Sequence, residues 1–219
     1  MSVFSLLKKL CLDFLYPKST RVIKLESLST ERLQELLPPS ELNIENVSAL
    51  FNYSHPLVKE IIWQIKYAGN RVLADKMGEI LYDTIVSELE ERNIFEKEKR
   101  KTVLIPVPIS DKRRFERGWN QAELLVEAAK SRDTSNHLKY LPRQLIKIRH
   151  TESQTRTASK SERKENLKDS MKVIYPPSIK DRFIILVDDV ITTGSTFTEA
   201  KRALKDAGAK RVLCFAVAH

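Results

Sequence analysis

Two adjacent acids, Asp188 and Asp189, follow the apolar run Phe183-Ile184-Ile185-Leu186-Val187. After them come Val190-Ile191 and then Thr192-Thr193-Gly194-Ser195-Thr196. An apolar β-branched run ending in acids predicts a buried strand that delivers two carboxylates to its C-terminal edge, where open α/β sheets bind ligands. The Thr/Gly/Ser loop precedes a helical pattern over 197–207, closed by Gly208. Backbone N–H groups at such a helix start hold phosphate. A sugar phosphate bearing a diol would suit both halves, its hydroxyls on the carboxylates and its phosphate in the loop.

A second cluster stands at the end of another predicted strand. Thr102-Val103-Leu104-Ile105 is stopped by Pro106-Val107-Pro108 and gives way to a basic turn from Asp111 to Gln121, holding Arg113, Arg114 and Arg117. Cations at a strand end are better placed for an anion than cations on an arbitrary outer helix. The turn alone is equally well read as a solvated loop. The acids at 188–189 make it a candidate part of the same site. The polar, basic stretch 150–166 has no hydrophobic period and reads as an active-site lid or an ordinary exposed loop.

The elements that must position these groups follow from periodicity. Residues 2–16 read as an amphipathic helix ended by Pro17, 22–25 as a short strand, and 30–37 as a short helix stopped by Pro38-Pro39. A boundary falls at 38–46, dividing a small accessory segment (1–46) from the main domain (47–219). Helical spacing runs from Leu57 to about Gly69 and again over 71–89, with Leu73, Met77, Ile80, Leu81 and Ile85 inward. Met77 and Trp63 are assigned to core gaps, His55 to a cap or the surface, and 88–101 to a charged connector. Residues 122–129 resume a helix, while 144–149, 171–175 and 211–217 read as further strands. The recurring strand–helix order predicts an α/β fold with a mostly parallel central sheet flanked by helices.

Composition bounds the reading. A chain of 219 residues with 42% hydrophobic residues buries a substantial core. The formal net charge of +9 fits nucleic acid, a phosphorylated small molecule or a basic solvated surface. Cys11 and Cys214, the two cysteines, are read as buried thiols. No apolar run reaches the ~20 residues of a membrane span, and Lys8 and Lys9 interrupt the apolar start, so a cytoplasmic protein is expected.

The acid pair with its flanking strand and loop resembles the phosphoribosyl-diphosphate motif of type I phosphoribosyltransferases. Within them the chain is most similar to the ComF-like, competence-associated group. That likeness rests on Ile65-Lys66-Tyr67-Ala68-Gly69, Pro106-Val107-Pro108, residues 113–121, Thr151 with Gln154, and Arg163 with Asn166. It covers about residue 50 to the C-terminus. It implies that Asp188 and Asp189 contact the ribose hydroxyls, that Thr192 through Thr196 (Thr193, Gly194 and Ser195 between them) hold the 5′-phosphate, and that Val190 and Ile191 belong to the same substrate-binding motif. Ile109 and Ser110 would form the pyrophosphate loop, with Arg113, Arg114 and Arg117 near it. Arg149, Arg156 and Arg163 are the lid cations, and Thr151, Gln154 and Asn166 belong to that lid.

The implied activity is a glycosyltransferase reaction. A nitrogenous acceptor displaces pyrophosphate from phosphoribosyl diphosphate, with Mg2+ bound through the diphosphate and water. The likeness also implies a connection with natural transformation or DNA uptake, with single-stranded DNA, competence proteins or further copies of the chain as partners. The alternative is a non-catalytic accessory or regulatory protein using the same pocket. Members of that group commonly begin with paired cysteines resembling a zinc module. Here Cys11 stands alone, so no structural zinc is expected. Other uses of strand-end acids fit less well. Phosphoacceptor receivers lack the Thr/Gly/Ser loop, and P-loop hydrolases and Rossmann enzymes need glycine motifs this chain does not contain.

Overall fold

The computed structural model describes residues 19–92, 102–148 and 169–219. Five strands form one wholly parallel sheet in the order β1-β7-β6-β2-β3. They are β1 (Val47–Phe51), β2 (Thr102–Pro106), β3 (Lys139–Tyr140), β6 (Phe183–Val190) and β7 (Arg211–Ala218). The central strand is β6, paired with β2 on one side and β7 on the other. Its residues from Phe183 to Asp189 are buried, as a parallel strand covered on both faces requires.

Alternation along the strands feeds two cores. Ile185, Val187, Leu213 and Phe215 face a layer that includes α4 (Arg71–Glu91) and α6 (Gln121–Arg132). Ile184, Leu186, Val212 and Cys214 face α7 (Ser195–Asp206). The first layer is tight because α4 and α6 meet at Gly78, where an added Cβ would lie 2.3 Å from the Cβ of Ala128. A separate antiparallel pair, β4 (Leu145–Lys147) with β5 (Met171–Val173), sits beside the second layer. Glu199 of α7 anchors it, accepting from the Met171 N–H at 3.1 Å while paired with Arg202.

Several expectations are corrected. Residues 22–25 are not a strand but lie in helix α1 (Thr20–Ser27), because the Ser19 side chain caps the Val22 N–H and Val22 and Leu25 bury one helical face. Residues 88–91 extend α4 rather than opening a connector. The basic stretch from Asp111 is helix α5 (Asp111–Arg117), started by Ser110 and stopped by Gly118 at φ 87°. Trp63 fills no core gap, being 53% exposed, whereas Met77 is fully buried. The short strand β3 was not anticipated, since two residues show no period. Helix α2 (Thr30–Leu36) stands where expected. The proposed helix at 2–16 with Cys11 lies outside the described residues.

Candidate active site

Strand β6 ends in the two acids. Asp188 is 9% exposed and Asp189 4%. Each carboxylate is tied to the chain just after it: Asp188 Oδ1 accepts from the Asp189 N–H at 2.8 Å, and Asp189 Oδ1 from the Val190 N–H at 3.0 Å. The remaining oxygen of Asp189, Oδ2, is buried without a hydrogen bond. Lys66 Nζ stands 3.4 Å from it, near enough for an ion pair but outside hydrogen-bond geometry. Burial and the neighbouring Asp189 charge push the Asp188 carboxyl well above its ordinary range, and Lys66 opposes them. A buried carboxylate oxygen without a hydrogen bond retains the capacity to accept one.

The loop after the acids turns away from the sheet at once. The Ile191 N–H bonds Ala218 O at 2.8 Å, fixing the exit of β6 to the end of β7. Gly194, at φ 71°, then occupies the position before α7, with no side chain to cap the helix. A left-handed backbone there favours glycine. Thr193 Oγ1 and Ser195 Oγ lie 2.8 Å apart, and the Ser195 N–H reaches Thr193 Oγ1 at 3.4 Å. Hydroxyls and an uncapped helix start therefore converge at one place, the arrangement that takes an anion.

The exit of β2 lies alongside. The Val107 N–H bonds Val187 O at 2.8 Å, and Asn120 Nδ2 donates to Val107 O at 2.9 Å. These bonds fix the backbone leading into Ile109 and Ser110. Ser110 itself is engaged as the cap of α5, accepting from the Arg113 N–H. The three arginines of α5 differ in their commitments. Arg114 is clamped by both oxygens of Glu123, which raises its pKa still further. Arg117 bonds Gln121 at 3.2 Å and lies over the Tyr67 ring, 5.0 Å from its centroid. Burial lowers the pKa of Lys147 on β4, the Arg113 charge adds to that lowering, and Asp188 opposes it.

Two neighbours of the acids carry no role in the sequence reading: Lys66 and Lys147. Lys66 sits with Tyr67 in a π turn, Gln64–Ala68, that continues helix α3 (Pro56–Trp63). The extra residue of a π turn is a local feature of backbone register that side-chain periodicity does not carry. The signal for Lys66 was the Ile65-to-Gly69 motif, noted for its resemblance and given no chemistry. Arg149, Thr151, Gln154, Arg156, Arg163 and Asn166 lie outside the described residues. Among the described residues no group of three or more His, Cys, Asp or Glu side chains is placed to hold a metal ion. Among them, too, no helix is long and apolar enough to cross a membrane.

The phosphoribosyl transferase domain family matches residues 131–219, which contain β6, the acids and the loop. Competence protein F of Haemophilus influenzae is 34% identical over 117 residues, 52% of this chain and 49% of that protein. Competence protein ComFC of Streptococcus pneumoniae is 28% identical over 170 residues, 77% of this chain and 66% of that protein. The chain spans between about half and two thirds of the length of these curated relatives. Among solved structures, a hypoxanthine phosphoribosyltransferase from Staphylococcus aureus superposes with a TM-score of 0.36 at 12% identity, covering 65% of this chain and 62% of that one. The chain is similar over part of its length to ComF-type competence proteins, and the stretch that matches the phosphoribosyl transferase domain family carries the acid pair and the Thr/Gly/Ser loop.

Proposed function

We propose that the chain is a phosphoribosyltransferase acting on phosphoribosyl diphosphate and a nitrogenous acceptor. One observation carries the reading: a buried acid pair, one carboxylate oxygen of which accepts no hydrogen bond, ends the same strand that leads into a Gly194-opened helix start. The carboxylates orient the ribose through its hydroxyls, and the loop takes the 5′-phosphate. The acceptor nitrogen then bonds the anomeric carbon as the carbon–oxygen bond to pyrophosphate breaks, and pyrophosphate departs with the bonding pair. Positively charged side chains facing the site stabilise that departing charge. The described residues offer no cage for a divalent ion. Magnesium would arrive on the diphosphate with its waters and offset the leaving charge there.

Equilibrium binding of phosphoribosyl diphosphate with magnesium tests this, comparing the native chain with Asp188→Asn/Asp189→Asn. Binding by the native chain and strong weakening in the variant are expected. Equal affinity would sink the ribose assignment. Pyrophosphate release on addition of candidate acceptors then separates transfer from binding.

A second reading, contact with single-stranded nucleic acid, is favoured by one surface. Trp63 and Tyr67 are 53% and 51% exposed, with ring centroids 5.7 Å apart. Arg117 lies on Tyr67, and the exposed Lys59 stands one helical turn before Trp63. Alternating cations and aromatic faces suit phosphates and bases of a strand, each stacked base contributing ~1–3 kcal/mol. Anisotropy of a labelled oligonucleotide should show salt-dependent binding that Trp63→Ala/Tyr67→Ala weakens. Salt-independent binding, or none, removes this reading.

A further inference from the structure

We propose that Lys66 is a substrate-binding residue that carries the pyrophosphate group, with its ion pair to Asp189 as the other position of the same flexible stem. The inference rests on the phosphoribosyl-diphosphate reading and assigns one more residue to that site.

The backbone of the π turn is held on both sides of Lys66. Trp119 Nε1 donates to Ile65 O at 3.1 Å, and the Asn70 N–H to Gln64 O at 3.1 Å. Gly69 closes the turn at φ 61°, and Trp119 packs so near that an added Cβ would meet its ring at 3.0 Å. The lysine stem is not held in this way. Its ammonium reaches Asp189 Oδ2 at 3.4 Å without hydrogen-bond geometry, and its side chain is 27% exposed. A lysine head is a compact charge on four rotatable carbons, so a fixed root and a loosely held tip give it two destinations.

The second destination follows from the neighbours. Lys66 contacts the acid pair, and the next residue, Tyr67, contacts Arg117 of α5, the helix that begins at Ser110. The π turn thus touches the two sides of the site: the carboxylates proposed for ribose, and the helix after the loop proposed for pyrophosphate. A diphosphate bridging those sides presents several oxygens to an ammonium that makes no hydrogen bond to Asp189. Moving there also frees Asp189 Oδ2 to accept a ribose hydroxyl.

Titration calorimetry with three probes separates this role from simple neutralisation of the acids. Phosphoribosyl diphosphate, magnesium pyrophosphate and ribose 5-phosphate are each measured on the native chain, Lys66→Met and Lys66→Arg. A charge-assisted hydrogen bond of about 1.5–3 kcal/mol predicts that Lys66→Met weakens both diphosphate ligands roughly ten- to hundredfold. Ribose 5-phosphate, which lacks the diphosphate, should lose distinctly less affinity than either diphosphate ligand. Lys66→Arg should retain most of the diphosphate affinity, and a native-like melting curve for each variant shows that the fold persists. Equal weakening of all three ligands would assign Lys66 to neutralising the acids and overturn the proposal. Unchanged diphosphate affinity in Lys66→Met would overturn it as well. A native chain that binds neither sugar phosphate would instead sink the phosphoribosyl-diphosphate reading itself.

Discussion

Asp188 carries a charge that works against the stability of the fold. Its carboxyl is buried beside a second carboxyl, and both effects disfavour its ionised form. In the unfolded chain it titrates near the ordinary 3.8, and in the folded chain higher. Between those values the folded state binds more protons, so stability falls as pH rises through the window and stays low above it. Removing the charge while keeping an oxygen for the Asp189 N–H should therefore stabilise the fold at neutral pH. Asp188→Asn is expected to melt a few degrees above the native chain at pH 7, since about 1 kcal/mol moves Tm by 2–4 °C in a chain of this size. The difference should shrink toward pH 4. A lower Tm for the variant at pH 7 would show that the carboxylate is stabilised by partners rather than strained by burial.

At the scale of elements, the layers around the sheet explain what the sequence disclosed and what it withheld. Strand β6 was legible because the apolar run 183–187 leaves a buried parallel strand as the simplest reading, and the acids could then be placed at its end. The 71–89 helix was legible because its apolar residues recur at helical spacing. Helix α1 was misread because four residues around Val22 fit either period, and the deciding interaction is the Ser19 cap. Lys66 was invisible as a site residue because only the π turn brings it to Asp189. Gly78 illustrates a constraint that neither composition nor period displays: α4 and α6 approach too closely there for any side chain. An alanine would place its Cβ 2.3 Å from Ala128 Cβ and 2.9 Å from backbone atoms on α6. Since backbone cannot yield as a side-chain tip does, Gly78→Ala should cost about 1–3 kcal/mol, the range of overpacked cores. Denaturant unfolding would register this as a lower midpoint at unchanged slope. Full retention of stability would mean that the helices can part without loss.

Across the whole molecule, the segment preceding β1 is continuous with the main core. Leu25, Leu33 and Leu37 are buried in the same cluster as Leu73, Met77 and Leu81 of α4. Polar ties repeat the connection: Lys76 Nζ donates to Leu28 O at 2.5 Å, Thr30 Oγ1 to Glu79 at 3.0 Å, and Asn70 Nδ2 to Glu26 at 2.6 Å. Asn70 is also the cap of α4, immediately after the turn that carries Lys66. Residues 38–40 run beside β1, where the Ser40 N–H bonds Leu50 O at 3.0 Å and the Asn52 N–H bonds Pro38 O at 2.9 Å. Deleting residues 1–40 would remove three buried leucines worth roughly 1.5–3 kcal/mol each and uncover the face of α4 that they cover. That loss rivals the ~5–15 kcal/mol that holds an ordinary domain together. The deletion is expected to abolish a cooperative melt by circular dichroism. Should a weakened fold survive, the freed Asn70 cap would loosen the root of Lys66, and affinity for magnesium pyrophosphate would fall. A truncated chain with a cooperative melt near the native Tm and undiminished pyrophosphate affinity would show instead that residues 1–40 are an independent appendage.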